Sequence, residues 1–132
     1  MKIKLVFPFW SKLEHQTEFH LPPHGPVVFA AEVPEEVDLQ FVDANLQKID
    51  YDDHVDLVAM SVLLTCQLPH AFEIADRYRK LNVPVIFGGI AVMLHAGEVS
   101  RHADAVFLGE VEGRFEAVIQ DFKAGRLKKV YN

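Results

Sequence analysis

The stretch Val83–Gly113 contains two short apolar runs, separated by a segment long enough for one helix. The runs are Pro84–Phe87 and Ala105–Leu108, and glycine follows each of them. Short runs of β-branched and aromatic residues with such a spacer are typical of neighbouring parallel strands buried on both faces. Ligands of these sheets bind beyond the carboxyl ends of the strands, which is where Gly88–Gly89 and Gly109–Glu110 follow. We therefore expect a functional site at this edge.

The alternation of strands and helices continues through the rest of the chain. Three further segments have strand patterns: Lys2–Phe7, Val37–Asp43 and Val55–Ser61. The second of these has one polar face, which favours a place near an edge of the sheet, whereas the third is apolar enough to be central. Helical periodicity and turn signals predict helices at Gly25–Glu32, Cys66–Asn82, Leu94–His102 and Glu112–Ala124, and a short extended tail at Leu127–Tyr131.

Five strands alternating with helices predict one α/β domain over residues 1–132, a three-layer sandwich around a five-stranded parallel sheet. Right-handed crossovers favour the Rossmann-like, flavodoxin-like strand order 2-1-3-4-5. The switch point of that order lies between strands one and three. The loops at 8–24 and 61–67 would then flank the crevice.

Composition excludes several classes of protein. A formal net charge of −6 argues against a nucleic-acid surface, which needs clustered Lys and Arg. No apolar run approaches the ~20 residues that span a bilayer, and the apolar start at Met1–Pro8 is too short for a signal peptide. We therefore expect a cytoplasmic protein without membrane contact. The single cysteine, Cys66, excludes an internal disulfide and a Cys-based zinc or iron–sulfur site in this chain, and we expect it to pack as a small apolar residue.

Loop residues at the predicted carboxyl edge are candidates for ligand contacts. Ser61 and Thr65 can donate hydrogen bonds into the crevice, while Leu63 and Leu64 can form an apolar wall. Thr65 can equally be a helix N-cap. The Gly88–Gly89 pair either lets a large ligand approach the backbone or makes a tight strand-to-helix turn. Neither the dinucleotide fingerprint nor the P-loop motif occurs, which argues against classical dinucleotide or NTP binding.

The histidines and acidic residues do not indicate a catalytic site. His15, His20 and His24 share one loop, but their spacing lacks a matching Cys or carboxylate arrangement for zinc. Glu110 and Glu112 flank the end of strand five without a partner that the sequence places beside them. A phosphorylatable receiver domain is also disfavoured, because its carboxylates after strands one and three and its Lys after strand five are missing.

Several motifs occur in order at the predicted strand ends. They are Ser61-x-Leu63, Gly88–Gly89, the run HADAVFLGEVEG at 102–113 and the closing DFKAGRLKKVYN at 121–132. With these motifs the chain resembles, over most of its length, the N-terminal cobalamin-binding domain of B12-dependent radical SAM enzymes. The resemblance implies a Rossmann-like sheet that holds cobalamin at the carboxyl edge of its strands, against a following radical SAM domain.

The resemblance also implies which residues contact cobalamin. They are Pro8, Trp10, Ser61, Leu63, Leu64, Thr65, Gly88, Gly89, Gly109 and Glu110. The residues after strand three would line the nucleotide-tail side, and the glycine pair would let the tail pass close to the backbone. Gly109 and Glu110 would lie near its far end. Trp10, or a neighbour in its loop, is expected to face the lower side of the corrin.

Two departures from the family pattern narrow the implied function. The D-x-H-x-x-G motif, which supplies an axial histidine in many B12 proteins, is missing, and the only D-x-H, at Asp52–His54, precedes strand three. The resemblance thus implies cobalamin held without a histidine ligand. The C-x-x-x-C-x-x-C motif is also missing, so SAM and a [4Fe-4S] cluster would belong to a catalytic domain outside this chain. We expect the chain to be one domain of a longer radical SAM protein.

Three functions stay open at this point. The first is a cobalamin-binding module of a methyltransferase-like radical SAM enzyme, without independent catalysis. The alternative is a degenerate copy that serves docking or partner recognition and binds no cofactor. That alternative would apply if Phe9, Trp10, Phe29 and Met93 filled the crevice. A third class is an enzyme or sensor that uses the crevice for another ligand such as a flavin. The substrate of the parent enzyme and the oligomeric state are not encoded in these patterns.

Overall fold

The computed structural model describes residues 1–12, 15 and 23–132. The strands are β1 (Lys2–Phe7), β2 (Asp38–Asp43), β3 (Leu57–Ser61), β4 (Val85–Gly88), β5 (Ala105–Phe107) and β6 (Val130–Tyr131). The helices are α1 (His24–Glu32), α2 (Leu68–Lys80), α3 (Ile90–Leu94), α4 (Ala96–His102) and α5 (Phe115–Lys123), with a 3₁₀ turn at Thr65–Gln67 before α2. Among the described residues, no helix is both long and apolar enough to cross a membrane.

All strands pair in parallel, in the order β2-β1-β3-β4-β5-β6. The predicted α/β class and the order of the five predicted strands are confirmed. The predicted extended tail is a sixth strand, in which Val130 pairs with Val106 and Tyr131 pairs with Phe107. The sheet is therefore one strand wider than the sequence predicts.

Helices cover both faces of the sheet. One core contains buried residues of α2, α3 and α4, among them Tyr78 and Val92. The other joins the opposite sheet face to α5, including Phe115 and Ile119, with Phe29 of α1 packed against it. On this shared face α1 leads from β1 to β2 on one side, whereas α5 leads from β5 to β6 on the other side. The crossover through α5 consequently has the opposite hand to that through α1, although one hand strongly dominates in such units.

Most helix ends follow local signals, and two expectations from the sequence are wrong. Pro69 lies in the first turn of α2, and Gly125, with φ of 67°, follows the end of α5. The helix predicted at Leu94–His102 is instead the pair α3 and α4, which starts four residues earlier and is broken at His95. Cys66 is exposed, so the expectation that it packs as a small apolar residue is wrong.

A buried polar network lies toward the amino ends of the strands. Lys4 of β1 is fully buried, and its Nζ lies 2.5 Å from Asp53 Oδ1 and 3.1 Å from Tyr78 Oη. The same ammonium donates to the backbone oxygen of Asp50. Desolvation acts to raise the pKa of Asp53, but hydrogen bonds from Lys4 and Lys2 lower it overall. These contacts attach the connection between β2 and β3 to the sheet.

Candidate functional site

A cavity of about 390 Å³ opens beyond the carboxyl ends of the strands, between the sheet and the helices α1 and α5. Strand register determines its floor. Leu5, Ala59 and Ile86 lie side by side, and the pair Ser61 and Gly88 lies two residues nearer the edge. This is the position in which doubly wound parallel sheets bind ligands.

Small residues occupy the middle of the floor, and aromatic residues flank it. Ala59 and Ser61 on β3 and Gly88 on β4 leave open space at the centre, while Phe7 of β1 and Phe107 of β5 also line the cavity. The result is a slot whose centre presents one hydroxyl and whose sides are hydrocarbon. A flat ring system is a ligand of suitable shape for such a slot.

Helix α1 borders the cavity and packs closely over β3, because Gly25 in its first turn has no side chain. A Cβ placed on Gly25 would lie 3.2 Å from Ser61 Oγ, so glycine allows the helix to pack closely over β3. Phe29 of α1 contacts Phe115 of α5 with ring centroids 4.4 Å apart, which joins the two helices at the cavity. Gly25, Ala59 and Phe115 were not predicted as site residues, and Phe29 was named only as a residue that would fill the crevice in the degenerate alternative. Only the Gly25-Pro26 helix start carried a local signal for them.

The two adjacent glycines have different roles. Gly89 has φ of 111°, and a Cβ there would lie 2.4 Å from the backbone oxygen of Val62. Gly89 therefore allows close approach of two backbone segments. Gly88 has ordinary backbone geometry, and its Cβ would meet Phe107 Cβ at 3.8 Å, a normal contact. Gly88 borders the cavity without a structural need for glycine, whereas Gly89 is required for the turn.

The segment after β3 is held by a side chain that the sequence analysis missed. Gln67 is fully buried, and its Oε1 accepts hydrogen bonds from the backbone N–H groups of Leu63 and Leu64 at 3.0 and 2.8 Å. Its Nε2 donates to the backbone oxygen of Pro8 at 2.7 Å. One amide thus connects the loops that follow β1 and β3. No periodicity or motif marked Gln67 in the sequence.

Six of the ten predicted cofactor residues line the cavity: Ser61, Leu63, Gly88, Gly89, Gly109 and Glu110. The other four lie close by but outside its lining. Pro8 is buried under Gln67, and Trp10 packs edge-on against Phe7 with ring centroids 5.8 Å apart. Leu64 is exposed, and so is Thr65. Contact of any of the ten with cobalamin stays a prediction.

Thr65 is not the N-cap of α2. It lies inside the 3₁₀ turn that precedes the helix, and Gln67 occupies the N-cap position. Thr65 Oγ1 instead lies 3.3 Å from His95 Nε2, at the break between α3 and α4. The hydroxyl therefore contacts His95 at the surface and does not line the cavity.

Exposed apolar side chains surround one side of the cavity mouth. Leu94 is 71% exposed, Ile90 59% and Met93 54%. We call the group Leu63, Leu64, Ile90, Met93 and Leu94 the apolar rim. Three of them, Leu63, Ile90 and Met93, line the cavity itself. Exposed apolar side chains grouped in this way indicate a surface that binds a ligand or a partner. The cavity and the rim together form a deep slot beside a broad apolar surface.

Polar side chains at the mouth are few. His24 of α1 and two carboxylates of the loop after β5, Glu110 and Glu112, contribute to the lining. The described residues contain no group of three or more His, Cys, Asp or Glu side chains placed to hold a metal ion. His20, which the metal hypothesis included, lies outside them. The arrangement is suited to holding a large, partly apolar ligand.

Fold and cavity define an α/β protein of the class that binds its ligand at the carboxyl ends of parallel strands. Residues 17–119 match the B12 binding domain family. The chain belongs to this family, in agreement with the resemblance deduced from its motifs.

Two curated relatives, both from Chlorobaculum tepidum, are similar to the chain. Bacteriochlorophyllide d C-8(2)-methyltransferase is 30% identical over 106 residues, which cover 80% of this chain and 23% of that protein. Bacteriochlorophyllide d C-12(1)-methyltransferase is 32% identical over 76 residues, covering 58% of this chain and 16% of that protein. The chain thus spans less than a quarter of the length of either relative. No solved structure matches it.

Proposed function

We propose that this chain is the cobalamin-binding module of a larger radical SAM methyltransferase and performs no chemistry by itself. The observation that carries the proposal is the open cavity with its apolar rim at the carboxyl edge of a B12-family sheet. The names of the relatives support methyl transfer, and the small share of each that the chain covers leaves most of such an enzyme for a catalytic domain.

The residues present fit the cofactor. The slot above Ala59, Ser61 and Gly88 has the shape needed for the flat base of the nucleotide tail, with Phe7 and Phe107 on its two sides. The apolar rim offers a broad surface for the corrin, while His24 and Glu110 offer polar contacts at the mouth. Bound cobalamin would supply methyl-transfer chemistry, with SAM and a [4Fe-4S] cluster held by the catalytic domain of the parent protein.

We further propose that the cobalt has no histidine ligand from this chain. The D-x-H-x-x-G motif is absent from the sequence, and the chain after β1 begins Pro8-Phe9-Trp10. The test is the electron paramagnetic resonance spectrum of the bound cofactor in its cob(II)alamin form. We expect a spectrum without nitrogen superhyperfine splitting. Resolved splitting that changes when the protein is labelled with ¹⁵N would show a nitrogen ligand from this chain and contradict this part of the proposal, whereas splitting that does not change would come from the benzimidazole of the cofactor itself.

The alternative function is a degenerate copy that binds no cofactor. It required four bulky residues to fill the crevice: Phe9, Trp10, Phe29 and Met93. Phe29 and Met93 do line the cavity, yet it stays open. Phe9 packs against His70 instead, with ring centroids 4.9 Å apart, and Trp10 packs on Phe7. This arrangement favours cofactor binding over a purely structural docking role.

Binding can be measured directly with hydroxocobalamin. The only tryptophan, Trp10, lies in the loop after β1, so its fluorescence reports a chromophore that binds nearby and absorbs where tryptophan emits. We expect saturable quenching on titration and a coloured protein with one cobalamin per chain after gel filtration. A colourless protein with unquenched Trp10 would reject the proposal and favour the docking alternative.

A further inference from the structure

Gln67 is a fully buried polar side chain at the edge of the sheet that carries the cavity. Burying an amide is costly unless its hydrogen bonds are made, because an unsatisfied buried polar group loses its bonds to water without replacement. Here the side chain makes three bonds, to the backbones of Pro8, Leu63 and Leu64. Its own backbone N–H adds a fourth, to the oxygen of Leu64 at 3.0 Å.

These bonds belong to a continuous connection along the edge. The backbone N–H of Val62 donates to the oxygen of Gly88 at 2.9 Å, and the oxygen of Val62 accepts from Ala91 at 3.2 Å. The ends of β1, β3 and β4 are therefore joined through Gln67 and the Val62–Leu64 segment. The β1 and β3 ends are the two sides of the switch point at which the ligand is expected.

Gln67 cannot reach a ligand itself, because it has no exposed surface and its carbonyl and amino groups are already bonded. Its influence on the cavity passes through Leu63, whose backbone it holds and whose side chain lines the cavity. A loop that is already ordered before the ligand binds loses little conformational entropy on binding, which raises the affinity.

We propose that Gln67 is a positioning residue for the cofactor: by joining the loops after β1 and β3, it holds the cavity edge in the conformation that binds cobalamin. This inference rests on the proposed function and adds to it a residue outside the ligand contacts. It predicts that loss of the three side-chain bonds weakens cobalamin binding in a chain that is still folded.

Two substitutions that nearly preserve the volume of the side chain distinguish the contributions of its three hydrogen bonds. Gln67→Met removes all three, whereas Gln67→Glu keeps an acceptor for the N–H groups of Leu63 and Leu64 but loses the donor to Pro8. Tyr78→Phe is the matched control. It also removes a fully buried polar group, which donates to the backbone oxygen of Asp50, but it does so in the network toward the amino ends.

The affinity for hydroxocobalamin is measured by Trp10 fluorescence, and stability by urea denaturation without ligand. We expect at least a tenfold rise in Kd for Gln67→Met, a smaller rise for Gln67→Glu, and no change for Tyr78→Phe at a comparable loss of stability. Either Gln67 variant, if folded with the wild-type Kd, overturns the proposal, because the residue would then serve stability alone.

Amide hydrogen exchange of the ligand-free proteins gives an independent result. We expect faster exchange at Leu63 and Leu64 in Gln67→Met and retained protection in Gln67→Glu. Unchanged protection in Gln67→Met would also overturn the proposal. If the wild-type chain binds no cobalamin, the proposed function is rejected. Faster exchange in Gln67→Met than in wild type would then still support the structural part of the inference.

Discussion

The two ends of the same sheet are built in opposite ways. Toward the amino ends, the charge of Lys4 is enclosed by a carboxylate, a phenol and a backbone oxygen. At the carboxyl ends, small residues and one hydroxyl leave a cavity of about 390 Å³, bordered by exposed apolar side chains. The polar end is closed within the chain, whereas the apolar end is open.

The difference indicates which end carries function. A buried charge is tolerated only when it is paired and hydrogen-bonded, so the network around Lys4 needs nothing from outside the chain. Exposed apolar side chains such as Leu94 and Ile90 gain stability only when something covers them. We therefore expect variants toward the amino ends to change folding stability, and variants at the cavity to change ligand affinity.

The largest expected effect is a loss of folding stability from a substitution beside the cavity, where the other variants are expected to change affinity. Gly89→Ala introduces a Cβ 2.4 Å from the oxygen of Val62 at a φ of 111°. We expect a loss of about 3 kcal/mol in the free energy of unfolding, from backbone strain and overpacking together. Urea denaturation against wild type measures it, with Gly97→Ala as control because a Cβ there meets nothing within 4 Å. Equal stability of the two variants would show that Gly89 is not needed for the turn.

The next largest expected effect is a loss of stability from a substitution toward the amino ends of the strands. Asp53→Ala leaves the buried Lys4 without its carboxylate, and we expect a loss of about 2 kcal/mol at neutral pH, less than for a fully buried pair because Asp53 is partly exposed. Cobalamin affinity should not change. Asp52→Ala, an exposed neighbour, is the control.

This loss should depend on pH. Because the pKa of Asp53 is lowered in the folded chain, its contribution is present above the unfolded pKa and disappears as pH falls through the folded value. The stability difference between wild type and Asp53→Ala should therefore shrink below about pH 4. A difference that stays constant at acidic pH would argue against an ion pair with Lys4.

The smallest expected change in free energy is a loss of cobalamin affinity, and it tests the cavity most directly. Gly88→Leu places a side chain at the slot, where a Cβ is tolerated but further atoms occupy ligand space. We expect cobalamin affinity to fall at least about tenfold, or ~1.4 kcal/mol, with stability nearly unchanged. Gly97→Leu, on the outside of α4, should bind as wild type. Unchanged affinity in Gly88→Leu would place the nucleotide tail elsewhere.

Much of the fold could be predicted because the central strands carry their signal locally. The segments that became β1, β3 and β4 are apolar runs bounded by turn residues, and their order follows from the crossover rule. The sixth strand could not be predicted in this way. Its two paired residues follow a basic turn, and Tyr131 is held by its hydroxyl, which donates to Asp121 and accepts from the backbone N–H of Lys128. It also needs the less common crossover hand.

Within the site, sequence motifs identified residues but not their separate roles. Ser61 and Gly88 were both predicted, and both line the cavity. Gly89 was grouped with Gly88, although its backbone geometry is determined by the nearby Val62 backbone. Gln67 gave no signal, because its three bonds go to backbone groups that no side-chain pattern encodes.

By itself, the sequence determined the class of fold, the edge of the sheet at which the cavity lies and the family to which the chain belongs. These depend on periodicity and on motifs, which are properties of neighbouring residues. The tertiary structure alone decided that Ala59 and Gly25 border the same cavity, that Gly88 borders the cavity while Gly89 faces backbone, and that Gln67 joins two loops. Those facts depend on which distant segments pack together, and packing is decided by the whole core at once.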